Sequence, residues 1–323
     1  MKICIVGAGA IGGLAGAWFA RAGHELCVVA RGAHLEAVLK NGLTLLSEGK
    51  RENFSVRASA EPADFGAQDA VFICLKAYSI AAMLPRLKTL IGPQTTVVPA
   101  LNGLPWWYFF NEGGRFDGGQ VDCLDPRGEL FAALSPARIL GCVVHAAAEV
   151  TSPGVVKHTA GRTFILGEPD RTVSARARNL ADAMNAAGFD ARVAPDIRVE
   201  IWTKLIGNLS YNPVAALALA TMDDINSNEA LLALIRPMMQ EAMQVAAAYG
   251  VRVPMTVDER VGIAKKLSGA KISMHQDIEK HRPLETDAII GAVVELARKS
   301  GVATPMIDAV YALIAERARH VDR

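Results

Sequence analysis

Short apolar runs separated by polar turns fill the first two hundred residues, and helical periodicity fills the rest. Residues 2–6 (Lys-Ile-Cys-Ile-Val) suit a strand buried on both faces. Similar runs recur at 25–30, 69–75 and 95–98, with shorter ones at 43–46 and 54–57. Between the first two, residues 14–21 read as a helix closed by Gly23. Residues 139–149, 154–159 and 163–166 alternate and are punctuated by glycine and proline, which predicts antiparallel strands extending the sheet. A helix over 173–187 and a strand at 191–193 carry the chain to Pro195-Asp196, where its character changes. From there the spacing predicts helices over 197–211, 214–221, 227–249, 255–267, 284–299 and 305–320. Gly250 to Pro254 and Gly301 to Pro305 both run from glycine through an apolar residue to proline, a shared helix stop.

The turns carry the first chemistry. Gly7-Ala8-Gly9-Ala10-Ile11-Gly12 stands between a strand and a helix in the pattern G-x-G-x-x-G. The first glycine permits the tight turn, the second lets a pyrophosphate approach the backbone, and the third lets helix and strand pack closely. The helix N-terminus then faces the phosphate charge. The expected fold is therefore α/β: a Rossmann-type N-terminal domain with a mostly parallel sheet over 1–195, then an all-α C-terminal domain over 196–323. Arg31 ends the second strand about 20 residues after the glycines, where NAD-preferring folds place an acid. An arginine there suits a 2′-phosphate and points to NADP, unless it is only a surface residue. Lys76 and Asn102 follow two further apolar runs, so Gly7, Arg31, Lys76 and Asn102 all stand at carboxyl ends of strands, where ligands gather in open α/β sheets.

Composition narrows the class. In 323 residues, 34 basic and 33 acidic side chains nearly cancel, with no long run of either sign, which argues against nucleic acid or an anionic membrane as partner. Cys4, Cys27, Cys74, Cys123 and Cys142 form no C-x-x-C pair and no metal spacing; three lie in apolar runs. They predict buried thiols in a reducing, cytoplasmic setting. His145 and His158 have no metal-ligand spacing either, so no metal is expected. Lys2 and the apolar residues up to Ala20 resemble a signal peptide in outline, but five glycines interrupt them and no apolar span is long enough for a membrane helix.

Past Pro195 one stretch stands out. Lys204, Asn208 and Asn212 sit at i, i+4 and i+8, which on a helix stacks three polar groups on one face, roughly 6 Å apart in rise. Their neighbours Ile201, Trp202, Leu205, Ile206 and Leu209 are apolar. Asparagine is a poor helix former, so two of them in an apolar helix need a reason. One is a wall of donors for a small polar molecule. The other is a solvated stripe, with Asn212 capping a new helix that has Pro213 at its first position. Ser273 and Glu285 are further candidates, or else a helix cap and a favourable first-turn charge. Residues 104–110 (Leu-Pro-Trp-Trp-Tyr-Phe-Phe) are the densest aromatic patch and precede a long Gly- and Asp-rich loop over 111–129. They line a substrate pocket or cap the core beneath that loop, with the second slightly favoured.

Together these residues resemble the ketopantoate reductase (2-dehydropantoate 2-reductase) family. The resemblance is carried by Gly7 to Gly12, Arg31, Lys76 in Cys74-Leu75-Lys76-Ala77, and Asn102-Gly103. It continues through Lys204, Asn208 and Asn212-Pro213 to Ser273-Met274, Gln276-Asp277-Ile278 and Glu285. It runs over essentially the whole chain, and implies NADPH-dependent reduction of ketopantoate, a step of pantothenate biosynthesis. By that likeness Lys204 is the general acid, Glu285 orients it, and Asn208, Asn212 and Ser273 hold the substrate's carboxylate and hydroxyl. Lys76, Asn102 and Ala147 join the glycine loop around NADPH/NADP. The chemistry agrees: hydride transfer to a ketone develops negative charge on oxygen, and a cation able to give a proton lowers that barrier. Partial desolvation in an interdomain cleft is expected to lower a lysine pKa from about 10.4. Two departures bear on substrate choice. The family's further asparagine after Asn-Pro is replaced here by Ala220-Thr221-Met222-Asp223, with no asparagine before Asn226, and the 104–129 segment is longer. The alternatives are a paralogue acting on another 2-keto or 3-hydroxy acid, or an NADPH-sensing protein without turnover. A homodimer is plausible from apolar helical surface.

Overall fold

The structure, a computed structural model, describes residues 1–266, 269 and 271–321. Two expectations touch residues outside these: the helix end at Leu267 and the last two residues of the second domain. The chain divides into two compact units, Met1–Leu101 with Gly128–Ile197, and Asn102–Arg127 with Arg198–Arg323.

The first unit runs β1 (Lys2–Val6), α1 (Ala10–Arg21), β2 (Glu25–Val29), α2 (Gly32–Asn41), β3 (Leu43–Ser47), β4 (Lys50–Phe54), β5 (Arg57–Ser59), β6 (Gln68–Ile73), α3 (Ile80–Leu87) and β7 (Ile91–Pro99). After the excursion into the second unit come α4 (Glu129–Ala133), β8 (Gly141–Ser152), β9 (Val155–Gly167), α5 (Ala175–Ala186) and β10 (Asp190–Val193). Five strands pair in the order β5-β2-β1-β6-β7, every pair parallel. The near-continuous apolar runs explain this: Ile3 to Val6 and Ala70 to Ile73 are buried throughout, as strands covered on both faces must be.

The alternating strands do not extend that sheet. They build a second one, ordered β10-β9-β3-β4 with β8 on the other edge of β9. The reason lies in α1, which packs against β1 and β2 of one sheet and β3, β8 and β9 of the other. Buried between two sheets, it has little use for a polar face: Leu14 to Phe19 are all inaccessible. Its glycines set the spacing, since a β-carbon on Gly13 would come within 2.5 Å of Val156 Cγ2. Trp18, Phe164 and Phe189 form the centre, with ring centroids 4.7 to 6.5 Å apart. Each such ring stabilises the fold by about 1.5–3 kcal/mol relative to exposure. The glycine-broken apolar stretch at the N-terminus is thus a core strand and helix.

The second unit is helical: α6 (Ile197–Ala218, its first residue counted with the first unit), α7 (Met222–Asn226), α8 (Glu229–Ala248), α9 (Val257–Ala264), α10 (Ser273–Glu279), a π-helical turn (Asp287–Gly291), α11 (Ala292–Ser300) and α12 (Pro305–Ala318). The two helices expected at 197–211 and 214–221 are one. Pro213 lacks the N–H that Leu209 would accept, at a cost of about 3 kcal/mol. Burial of Leu209, Tyr211, Val214 and Ala215 on either side offsets it. Asn212 is therefore mid-helix and does not cap a new one.

A boundary at 195/196 leaves residues 102–127 with the sheets, whereas the packing places them with the helices. Leu104 to Phe109 are all buried. Trp202 Nε1 donates to Tyr108 Oη at 2.7 Å, and Arg198 donates to the carbonyls of Tyr108 and Phe110. The loop beyond is latched to α11: Glu295 accepts from the amides of Asp122 and Cys123, and Lys299 donates to Gln120 O. The aromatic run caps the core of the helical unit. Among the described residues no helix is long and apolar enough to cross a membrane.

Candidate active site

In the first unit, the turn from β1 into α1 is built to admit an anion. Gly7 has φ +96°, a region open to glycine, and its amide donates to Val29 O at 3.0 Å. A β-carbon on Gly12 would lie 2.1 Å from Gly7 O, so only glycine lets the helix start this close to the strand. At Gly9 the same atom would meet nothing within 4 Å, and the residue is exposed. The middle of the turn thus faces open space beside the first amides of α1, and the first turn of α1 carries no acid. Ala8 is buried, and Ala10 and Ile11 begin the helix half-buried. A dinucleotide pyrophosphate fits this cradle.

Arg31 is exposed and precedes α2 as its N-cap residue, beside Gly32 at φ +53°. Lys76 is half-buried just beyond β6, where its carbonyl accepts from Ser79 N. Both stand at carboxyl ends of parallel strands, with the glycine turn. Ala147 is exposed on β8 of the second sheet, where it pairs with Ala160 at an irregularity in the register.

The second unit holds Lys204, Asn208, Asn212, Ser273, Glu285 and also Asn102. α6 presents Lys204 and Asn208 half-buried and Asn212 at 5% exposure, so the three-residue face is no solvated stripe. Lys204 Nζ donates to Asn102 Oδ1 at 2.8 Å. That contact joins a residue expected at the cofactor to the expected acid, and spacing along the chain gave no sign of it. Glu285 is 5% exposed and lies just before the π-helical turn, its carbonyl accepting from Ile289 N at 3.2 Å. Ser273 opens α10 half-buried, and the cap position belongs to Ile272. His275, buried on the same short helix, fixes it by a 3.0 Å contact between Nδ1 and Ala220 O.

The segment lacking the expected asparagine has structural work instead. Thr221 and Asp224 form a capping box that starts α7, and Met222 is buried. Asn226 does not replace the missing amide, because its Oδ1 accepts from Tyr211 Oη at 2.9 Å and its Nδ2 donates to Ala264 O. Arg260 is a side chain the sequence did not single out. A β-carbon on Gly207 would overlap its guanidinium, so the arginine lies flat on α6 one residue before Asn208, with Nη1 buried and without an acceptor among the described residues.

A glycine cradle closing a parallel sheet, with a lysine set on an amide acceptor in a helical unit, defines a nicotinamide-dinucleotide-dependent oxidoreductase. Residues 3–107 match the family profile described as ketopantoate reductase PanE/ApbA, and residues 196–318 match that of its C-terminal part. The chain belongs to the ketopantoate reductase family. It is 46% identical over 315 residues to the 2-dehydropantoate 2-reductase of Mesorhizobium japonicum, covering 97% of each chain. A provisionally assigned ketopantoate reductase from Ralstonia solanacearum MolK2 superposes with a TM-score of 0.94 at 38% identity, over 99% of this chain and 98% of that one. D-mandelate dehydrogenase, solved with NADH and anilino(oxo)acetate, shares the fold alone: TM-score 0.86, 22% identity, full coverage of both chains.

Proposed function

We propose that this protein reduces 2-dehydropantoate (ketopantoate) to pantoate with NADPH, in pantothenate biosynthesis. The observation that carries this is the Lys204–Asn102 contact in a chain so close to a named 2-dehydropantoate 2-reductase. NADPH, when bound, supplies a hydride to the ketone carbon. The remaining work belongs to the protein. Lys204 gives a proton to the oxygen as negative charge develops there, and its cation stabilises that charge beforehand. Asn208, Asn212 and Ser273 hold the carboxylate and hydroxyl of the keto acid; as neutral groups they bind it without competing with the ammonium. Glu285 orients Lys204. Gly7 to Gly12 take the pyrophosphate, Arg31 the 2′-phosphate, and Lys76, Asn102 and Ala147 complete the cofactor's surroundings. The two units divide these tasks, Met1–Leu101 with Gly128–Ile197 toward the nucleotide and Asn102–Arg127 with Arg198–Arg323 toward the substrate. We place the protein in the cytoplasm, as a homodimer.

A panel of 2-keto acids tests the substrate, with oxidation of NADPH followed at the nicotinamide absorbance band. Ketopantoate should exceed pyruvate and bulkier aryl keto acids by at least about 10-fold in kcat/KM, the discrimination expected when several polar groups match one ligand. Faster turnover of an aryl keto acid would assign the chain to a different substrate within the same chemistry.

A further inference from the structure

We infer that the π-helical turn Asp287–Gly291 and Gly103 together form the device that positions the general acid; this rests on the reading of Lys204 given above. In an α-helix the amide of Ala292 would donate to Ala288 O. Here it donates to Asp287 O, one residue further back. The carbonyl of Ala288 is thereby released, and it accepts from Leu104 N at 2.8 Å. π-turns occur mostly as single turns inside helices, often at functional sites.

Gly103 makes that approach possible. Its φ is +86°, and a β-carbon there would stand 2.0 Å from Ala288 O and 2.4 Å from Ala288 C. Those are backbone atoms, which cannot swing away as a side-chain tip could. The adjoining residue is Asn102, whose Oδ1 receives the Lys204 ammonium. The order of dependence is therefore π-turn, Leu104 amide, Gly103, Asn102, Lys204. Glu285 stands at the head of the same turn, its carbonyl bonded to Ile289 N, so one irregularity sets both the expected acid's acceptor and its expected orienting carboxylate. Asn102 and Gly103 are positioning residues; Lys204 does the chemistry.

The consequence is specific. An amide oxygen bonded to an ammonium favours its charged form. Moving that oxygen away favours the neutral amine, which has no acidic proton to give at the ketone. Rising pH then removes the active form sooner.

Gly103→Ala in the full-length protein tests this. Circular dichroism and thermal melting first establish that it folds. The expected result is a kcat for ketopantoate lowered at least about 10-fold, since small misplacements cost up to 10²-fold, with the alkaline limb of the kcat profile moved to lower pH. Asn102→Ala should move that limb in the same direction, and the double variant should add little, as coupled residues do. An unmoved limb in Gly103→Ala overturns the proposal, whether or not kcat falls. Should Gly103→Ala fail to fold, amide exchange in the unaltered protein decides. The Leu104 amide should be protected like the amides of α11, and exchange at the rate of an open loop overturns the proposal. That measurement needs no turnover, so it still stands if no keto acid is reduced and the reading of Lys204 fails.

Discussion

At the scale of the residue, Lys204 decides most. Its ammonium has a neutral acceptor in Asn102 Oδ1, which orients the charge without cancelling it. Replacing it by alanine removes the proposed proton donor while leaving the glycine cradle of the first unit untouched. We expect kcat for ketopantoate to fall by about 10²–10⁴-fold, the usual contribution of a positioned acid. The affinity for NADPH, measured by quenching of tryptophan fluorescence, should stay within about threefold. Turnover retained in Lys204→Ala would end the acid assignment. The residue was legible because a lysine and two asparagines at four-residue spacing contradict the apolar helix around them. Its acceptor was not, because Asn102 is 102 positions away in sequence and stands beside a strand end, where the likeness to dinucleotide sites draws it toward the cofactor.

At the scale of the element, local chemistry starts two of the helices of the second unit. Thr221 with Asp224 caps α7 and Thr256 with Glu259 caps α9, each hydroxyl accepting from the third residue's amide while the carboxylate accepts in return. These bonds, chiefly from Thr221 and Thr256, hold both carboxyls below their ordinary range. A depressed carboxyl stabilises the fold fully above its unfolded value, near pH 4, and that contribution disappears as pH falls through the lowered folded value. The double variant Asp224→Asn with Glu259→Gln should therefore lower the urea midpoint at pH 7, with the difference from the parent shrinking steadily towards pH 3. Equal differences at both pH values would mean the two carboxylates contribute nothing as charges. Glycine stops marked the helix ends before Gly23, Gly250 and Gly301, whereas these two threonine caps went unread and α7 was not foreseen. Pro213 misled because a proline after asparagine is also how a new helix begins, and only the burial around it shows that α6 continues. The π-turn left no trace in periodicity, since past the exposed Asp287 the residues from Ala288 to Val294 are apolar and buried, and one extra residue among them shifts no polar face.

At the scale of the whole molecule, the division of labour differs from the linear one. Near-continuous apolar runs announced the parallel sheet, and the glycine turn announced its ligand. Which sheet the alternating strands join was not written in them, because alternation fixes a strand's faces and not its neighbours. Likewise the seven-residue aromatic run over 104–110 states that it must be buried but not against what. Its partners Trp202 and Tyr249 lie 94 and 141 residues beyond Tyr108, and they carry Asn102 into the helical unit. That reassignment can be tested by amide exchange with each ligand in turn. NADP+ alone should slow exchange in the glycine turn and α1's first residues, around Arg31, and at Lys76. Residues 104–110, buried with the helices already, should be unaffected. Pantoate added afterwards should slow exchange over 204–212 and at the start of α10. The amides of α1 are protected in part by the sheets on either side, so the cofactor's effect is sought in the exposed turn at Gly9 and not in the buried turns that follow. If NADP+ leaves the turn at Gly9 exchanging as before, the cradle does not hold the pyrophosphate and the cofactor assignment fails, whatever becomes of Lys204.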